Sequence, residues 1–266
     1  MTKSLVQSQF GAHAAAYVTS PVHANGASLG RLVELVQPQA YWHALDIATA
    51  AGHTALAFAP HVASVIASDL TDEMLVEAAQ FLAKQGVTNV SVTKADAEAL
   101  PFADSAFDLV TCRIAPHHFP DVAAFVAESW RVLKPGGTFA LVDNVAPDAT
   151  SVPGASKSDL RDVSIAYNAF EKLRDPSHGR CLSVDEWLEL IGDTGFAVAH
   201  QERLAKDMAF QPWAERLGAD AATIDRLGET LGQAAPALQT FLRPRQTGGA
   251  LWFTVQELVI IAKKPV

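Results

Sequence analysis

Apolar residues in the first 145 positions alternate between short continuous runs, typical of buried strands, and the spacing of amphipathic helices. Five strands are predicted, at 41–47, 62–69, 89–96, 107–113 and 138–144. Helices are predicted between them, at 53–59, from a cap at Thr71 to a stop at Gly86, and at 122–133. Strands that alternate with helices form βαβ units, so we expect a parallel sheet.

Beyond about residue 145 the pattern becomes mainly helical. Its predicted elements are helices at 157–175 and 183–196, strands at 196–204 and 253–264, and a helical insert at about 206–250. Ser183 and Glu186 have the spacing of a capping box at the start of the second helix. We expect a single domain over 1–266, with three parts at 1–38 (N-terminal helical extension), 39–145 (core) and 146–266 (C-terminal half).

Composition and charge narrow the class of protein. Of the 266 residues, 49% are hydrophobic, which supports a sizeable core. The formal net charge of −9 argues against nucleic-acid or anionic-membrane partners, because both need clustered Lys and Arg. Cys112 and Cys181 lie far apart, which predicts neither a disulfide framework nor a zinc site. No signal peptide or run of about 18 apolar residues is present, so we expect a cytoplasmic protein with a small-molecule partner and no membrane insertion.

Acidic and small residues follow the first three predicted strands. In an open α/β sheet, ligands bind outside the carboxyl ends of the strands. Asp69 ends the second strand, where a carboxylate can accept both hydroxyls of a ribose. Asp96 ends the third, where it can accept from an adenine amine while the Ala97 N–H reaches a ring nitrogen. An Asp after a strand is more often a turn or cap residue, but Thr71 already occupies the capping position. The acidic and small residues after successive strands therefore predict a nucleoside-binding site.

Several segments resemble motifs of class I S-adenosylmethionine-dependent methyltransferases. In chain order they are ALDIATAAGHTALAFA (44–59), VIASDLTDEML (65–75), KADAEALPFADSAFDLVTCR (94–113) and RVLKPGGTFALVDN (131–144). The branch they resemble is methyltransferase type 11, which contains the C-methyltransferases of ubiquinone and menaquinone biosynthesis. Two further segments resemble a bacterial subfamily of that branch: QFGAHAAAYVTSPVHANG (9–26) and EKLRDPSHGRCLSVDEWL (171–188).

The resemblance implies both a fold and an activity. The fold is a Rossmann-like, seven-stranded, mostly parallel sheet with helices on both faces. Its last strand would be antiparallel and inserted between the fifth and sixth. Residues 39–145 would be the cofactor-binding core, with S-adenosylmethionine as cofactor and S-adenosylhomocysteine as product. The reaction would be methyl transfer to carbon or oxygen of a small, largely apolar acceptor.

Cofactor contacts follow from the resemblance, residue by residue. They are Asp46, Ala48, Ala50 and Gly52 at the methionine end, Asp69 at the ribose, Leu70, Asp96 and Ala97 at the adenine, and Arg113 beside the cofactor. Ala50 departs from the family, which usually has glycine there. If that position needs a positive φ, alanine costs about 1 kcal/mol or somewhat more. This cost is small beside the roughly 8 kcal/mol of micromolar binding, so we expect weakened binding.

The acceptor is expected near the loop after the fourth strand. His117 and His118 stand there, and either would remove an acceptor proton, with His118 preferred from the subfamily resemblance. The alternative is that both only pack against, or hydrogen-bond to, the following helix. Two adjacent histidines cannot easily bind one ion together, and we expect no metal.

Further acceptor contacts are predicted from three segments. They are Tyr17 and His13 in an N-terminal lid, Arg174, His178 and Arg180 in the loop at 174–180, and Trp213 in the insert. Two arginines suit a carboxylate or phosphate. The alternatives are internal Arg174–Asp175 and Arg180–Asp185 pairs, and ordinary core packing of Trp213.

Two other functions compete with methyl transfer. An NAD-dependent oxidoreductase would share the role of Asp69, but the G-x-G-x-x-G motif is absent. A non-methylating protein of the same fold would bind the cofactor or its product and catalyse another reaction or act as a binding protein. Ala50 is the residue that keeps this alternative open.

Overall fold

The computed structural model describes residues 2–18, 24 and 26–266. Its helices are α1 (Lys3–Val18), α2 (Ala27–Val36), α3 (His53–Phe58), α4 (Asp72–Lys84), α5 (Val122–Val132), α6 (Lys157–Arg174), α7 (Val184–Asp193), α8 (Phe210–Glu215), α9 (Ala221–Gln233) and α10 (Pro236–Leu242). Its strands are β1 (His43–Ile47), β2 (Ser64–Asp69), β3 (Val90–Lys94), β4 (Phe107–Arg113), β5 (Leu133–Asn144), β6 (Ala197–Ala209), β7 (Arg245–Thr247) and β8 (Ala250–Lys263).

One mixed sheet forms the centre of the fold. Its strand order is β3-β2-β1-β4-β5-β8-β6, and the short β7 pairs with β8. The pairs among β1 to β5 are parallel, whereas β8 is antiparallel to both β5 and β6. This order confirms the predicted mostly parallel sheet with its last long strand inserted antiparallel. The eighth strand, β7, was not predicted.

The bounds of three strands differ from the sequence predictions for a physical reason. β5 begins at Leu133 instead of 138, because Leu133 already pairs with Phe107 of β4, and after a register shift the ladder resumes at the pair Leu109–Thr138. β6 and β8 extend into the range predicted for the helical insert. Their antiparallel ladder continues to the pair Ala209–Trp252, which leaves three short helices and β7 between them.

Helices cover both faces of the sheet, as predicted. Successive residues of a strand point to opposite faces, so Ala44 packs with Leu32 of α2, while Leu45 belongs to the cluster that contains Phe125 of α5. A third apolar cluster joins α6 to the insert and includes Trp213. Across the described residues, no helix has both the length and the apolarity needed to span a membrane.

Candidate active site

A cavity lies at the carboxyl ends of the parallel strands, where open α/β sheets bind ligands. Loops after β1, β2, β3 and β4 line one part of it. Residues of α1 form a second wall, and residues of the C-terminal half form a third. The cavity therefore brings together side chains that are distant in sequence.

The loop after β1 has an unusual backbone. Ala48 (φ 52°), Ala50 (φ 49°) and Gly52 (φ 88°) all adopt the left-handed conformation that favours glycine. Ala50 therefore has the positive φ at which alanine is strained, and so does Ala48. A Cβ on Gly52 would lie 3.3 Å from the Leu82 side chain. The two alanines line the cavity, so the loop holds strain where a ligand would bind.

Asp46 anchors this loop from beneath. Its carboxylate accepts hydrogen bonds from the hydroxyls of Thr49 (2.6 Å) and Thr111 (2.7 Å). Burial raises the pKa of Asp46 to about 6, although the two threonines and Arg113 oppose that shift. Neither Asp46 nor Gly52 lines the cavity, so their contribution is to loop geometry.

Asp69 joins the first two loops. It accepts from the Ala50 N–H at 3.0 Å through Oδ2 and from the Thr71 N–H at 2.9 Å through Oδ1. Burial raises the pKa of Asp69, and these backbone donors oppose the rise. Thr71 is the N-cap residue of α4, as predicted, but its side chain makes no capping hydrogen bond.

Helix α1 contacts the other predicted nucleoside residues. Lys3 Nζ lies 2.5 Å from Asp96 Oδ2 and 2.6 Å from Glu98 Oε2. Gln7 donates to the Leu70 carbonyl at 3.0 Å. Ala97, Asp96 and Leu70 all line the cavity. The N-terminal extension thus lies against the predicted adenine end.

Arg113 ends β4 within the cavity wall. Its Nε donates to Thr54 Oγ1 at 3.1 Å. Burial lowers the pKa of Arg113, while Glu257 and Asp46 oppose that change. The next residue, Ile114, has a φ of 56°, a genuine outlier for a β-branched side chain. Backbone strain therefore accompanies two of the strand ends that line the cavity.

A cluster of histidines lies at the ends of β4 and β5. The ring centroids of His117 and His118 are 4.2 Å apart, and His178 lies 5.6 Å from His117. His117 and His118 line the cavity, whereas His178 does not. The His178 Nε2–H donates to Asn168 Oδ1 at 2.9 Å.

The two cavity histidines differ in their partners. The His117 Nδ1–H donates to Asp143 Oδ1 at 2.5 Å, and the His118 Nδ1–H donates to the Ser177 carbonyl at 3.0 Å. Burial alone would lower the pKa of His117, but the Asp143 carboxylate outweighs burial and raises it. Burial and the charge of His117 lower the pKa of His118, against the attraction of Asp175. These contacts make His117 the better proton acceptor.

The residues predicted to contact the acceptor separate into two groups. Tyr17, Arg174 and Trp213 line the cavity, whereas His13, His178 and Arg180 do not. The internal pairs predicted for the arginines are wrong. Arg174 lies 3.4 Å from Glu171, three residues before it on the same helix, and Arg180 lies 2.7 Å from Glu186 instead of Asp185. His13 donates from Nδ1 to the Gln9 carbonyl at 2.8 Å.

Sequence reasoning missed several cavity residues. Asn144 lines the cavity at the end of β5, and the buried Asp143 beside it contacts His117, so the strand-end rule that found Asp69 would have found both. Lys206, Arg216 and Phe10 also belong to the site, but no sequence signal marks them. Their positions depend on how α1 and the insert pack against the sheet. In the part of the chain that the structure describes, no group of three or more His, Cys, Asp and Glu side chains is arranged to hold a metal ion.

Comparison with known proteins identifies the family. A family model described as a methyltransferase domain matches residues 45–141. The methyltransferase YcgJ of Bacillus subtilis (strain 168), named as uncharacterized, is 35% identical over 256 residues, which is 96% of this chain and 97% of YcgJ. The chain belongs to the class I S-adenosylmethionine-dependent methyltransferases. The resemblance seen in the sequence is thus confirmed, and with it the enzyme class and the cofactor of the family.

Two more comparisons support this assignment. The crystal structure of YcgJ superposes with a TM-score of 0.82 at 33% identity, covering 90% of this chain and 98% of that one. A ubiquinone/menaquinone biosynthesis C-methyltransferase, UbiE of Marinomonas sp. (strain MWYL1), is 38% identical over 109 residues, 40% of this chain and 43% of UbiE. Neither comparison supports the NAD-dependent alternative.

Proposed function

We propose that this methyltransferase methylates carbon or oxygen of a small acceptor with a largely apolar body. The observation that carries the proposal is the His117–Asp143 pair, of which His117 lines the same cavity as Asp69 and Asp96. A proton acceptor beside the cofactor site suits an enol or phenol, which must lose a proton to become a good nucleophile.

The residues of the cavity fit S-adenosylmethionine. Asp69 would accept the ribose hydroxyls, and Asp96 would accept the adenine amine beside the Ala97 backbone. Leu70 would pack on the adenine face, and the loop at 48–51 would face the methionine part together with Arg113. When bound, the cofactor supplies an electrophilic methyl group on its sulfonium.

Apolar side chains support an acceptor with an apolar body. Val6 and Phe10 of α1 line the cavity opposite the strand ends, and Met208 and Val255 line it from the β6–β8 pair. The Phe10 ring meets the His118 ring edge-on with centroids 4.8 Å apart. Such a pocket excludes water and holds the acceptor in line with the methyl donor, and positioning supplies much of the rate of a displacement.

His117 is proposed as the general base, with His118 beside it. Asp143 fixes the tautomer of His117, so that Nε2 carries the lone pair that accepts the proton, and stabilises the imidazolium that forms. The lowered pKa of His118 favours its neutral form. A neutral His118 adds no positive charge against the proton that His117 gains.

The test measures transfer of a labelled methyl group from S-adenosylmethionine to phenols, naphthols and 1,3-diketones, with primary amines as the comparison class. We expect labelled carbon or oxygen products. His117→Ala should lower kcat about 100-fold or more. An exposed histidine supplies the control, since His61→Ala should leave kcat unchanged. Transfer to amines alone, or a His117→Ala variant within threefold of the parent, would contradict the proposal.

The pH profile tests the role of Asp143. A general base works deprotonated, so activity should rise with pH through the pKa of His117, above its ordinary value. In Asp143→Asn the raising charge is lost and burial dominates, so this rise should move to lower pH while the plateau falls. An unshifted rise would mean that Asp143 does not act through His117.

A further inference from the structure

Two arginines form one wall of the cavity without a matching number of carboxylates. Arg174 ends α6, and Arg216 follows α8. Both line the cavity together with Tyr17 of α1. Tyr17 and both guanidinium groups lie close enough for their charges to influence one another.

The Arg174 side chain is held in place but is incompletely hydrogen-bonded. Its guanidinium carbon lies 4.5 Å from the centroid of the Trp213 ring, a cation–π contact. Its only carboxylate contact within the described chain is to Glu171, at 3.4 Å. Its Nε is buried and has no hydrogen-bond partner there. A buried donor without a partner is costly, and it commonly marks a place where a ligand supplies the acceptor.

Arg216 adds a second charge at the same place. No hydrogen bond or ion pair to Arg216 is found among the described residues, although the side chain is half-buried. Burial and repulsion by Arg174 lower the pKa of Arg216, while Tyr17 and Glu171 oppose that change. Among the described residues, Glu171 is thus the carboxylate that the two guanidinium groups share.

Other acidic groups nearby are already engaged. Asp175 accepts from the Ser177 N–H at 2.9 Å and the Ser177 hydroxyl at 2.6 Å, and its second oxygen lies 3.8 Å from His118 Nε2. Glu257 is paired with Lys206 at 2.6 Å. The two arginines thus face the cavity with one shared carboxylate between them.

We propose that Arg174 and Arg216 bind an anionic group of the methyl acceptor, a carboxylate or a phosphate. The planar guanidinium fork matches both groups, and its stacking on Trp213 fixes its orientation. This inference rests on the proposed function and extends it: the acceptor has an apolar body that reaches the histidines and an anion at the Arg174–Arg216 wall. The pair would set acceptor specificity, because a neutral analogue would leave the two guanidinium groups with only Glu171 as a shared counter-charge.

The experiment uses the full chain saturated with S-adenosylhomocysteine and titrates three probes by calorimetry. The probes are benzoate, phenyl phosphate and the neutral benzamide. We expect at least one anion to bind ten times more tightly than benzamide, and the stronger of the two identifies the anion as carboxylate or phosphate. Arg174→Gln and Arg216→Gln should each remove at least tenfold of anion affinity without changing the affinity for benzamide.

Controls separate this inference from the proposed function. Arg161→Gln alters an exposed arginine of the same helix α6 and should bind all probes like the parent. Arg216→Gln breaks no described hydrogen bond, so it keeps the test valid if Arg174→Gln folds poorly. No anion preference in the parent, or a preference unchanged in both variants, would overturn the inference. The inference would also be overturned if both variants lost as much affinity for S-adenosylhomocysteine as for the anion, because the arginines would then bind the cofactor carboxylate. A parent that does not bind S-adenosylhomocysteine at all would refute the proposed function itself.

Discussion

Single residues in the loop after β1 decide how closely the backbone approaches a ligand. Ala48 and Ala50 hold left-handed φ values of 52° and 49° at positions that favour glycine. Asp69 compensates in part, because it accepts the Ala50 N–H at 3.0 Å. The added methyl groups line the cavity and reduce the space at its floor. The backbone of this loop is therefore strained, and its surface at the methionine end is more closed than it would be with glycine.

Replacing these alanines with glycine should relieve the strain. Ala48→Gly and Ala50→Gly should each raise the free energy of unfolding by up to about 1 kcal/mol, because a left-handed penalty of about 1–2 kcal/mol exceeds the roughly 0.4–1 kcal/mol entropy cost of glycine. Denaturant unfolding measures this. Ala51→Gly is the matched control: Ala51 is buried in the same loop but not at positive φ, and its replacement should destabilise the protein by about 1 kcal/mol. An Ala50→Gly variant destabilised as much as Ala51→Gly would disprove the strain.

At the scale of elements, α1 closes the cavity across two different regions. Lys3 bridges Asp96 and Glu98 at the adenine end, and Phe10 contacts His118 at the acceptor end. Helix α1 also packs on α4 through an apolar cluster that contains Met74. A ligand placed between α1 and the strand ends would add contacts to both.

Hydrogen exchange of α1 should therefore respond to the cofactor product. We expect amide exchange in residues 2–18 to slow when S-adenosylhomocysteine is added, since the ligand adds contacts beneath the helix. Helix α2 is the internal control, because it packs on α3, β5 and β8 away from the cavity and should not change. If α1 exchange stays constant at saturating ligand, α1 does not cover the bound cofactor.

Across the whole molecule, local patterns predicted more than long-range packing did. The strand-and-helix alternation fixed the parallel half of the sheet, and the Ser183 capping box forms as expected, with Ser183 and Glu186 bonded reciprocally. The position of β8 came from a family resemblance, since periodicity cannot say where a late strand inserts. The residues of the site likewise separate into those that local sequence patterns indicate and those that depend on long-range packing. Asp69 and Asp96 follow strands and are visible in sequence, whereas Arg216 reaches the cavity only because the insert folds back over it.

The most direct test of the cofactor site is calorimetric titration of the protein with S-adenosylhomocysteine, alongside Asp69→Ala and Asp72→Ala. We expect micromolar binding by the parent and a loss of about 100-fold or more in Asp69→Ala, because a carboxylate that accepts two hydroxyls contributes several kcal/mol. Asp72 is exposed and paired with Lys94, so Asp72→Ala should bind like the parent. A parent that does not bind, or an Asp69→Ala variant that binds equally well, would contradict the cofactor site described here.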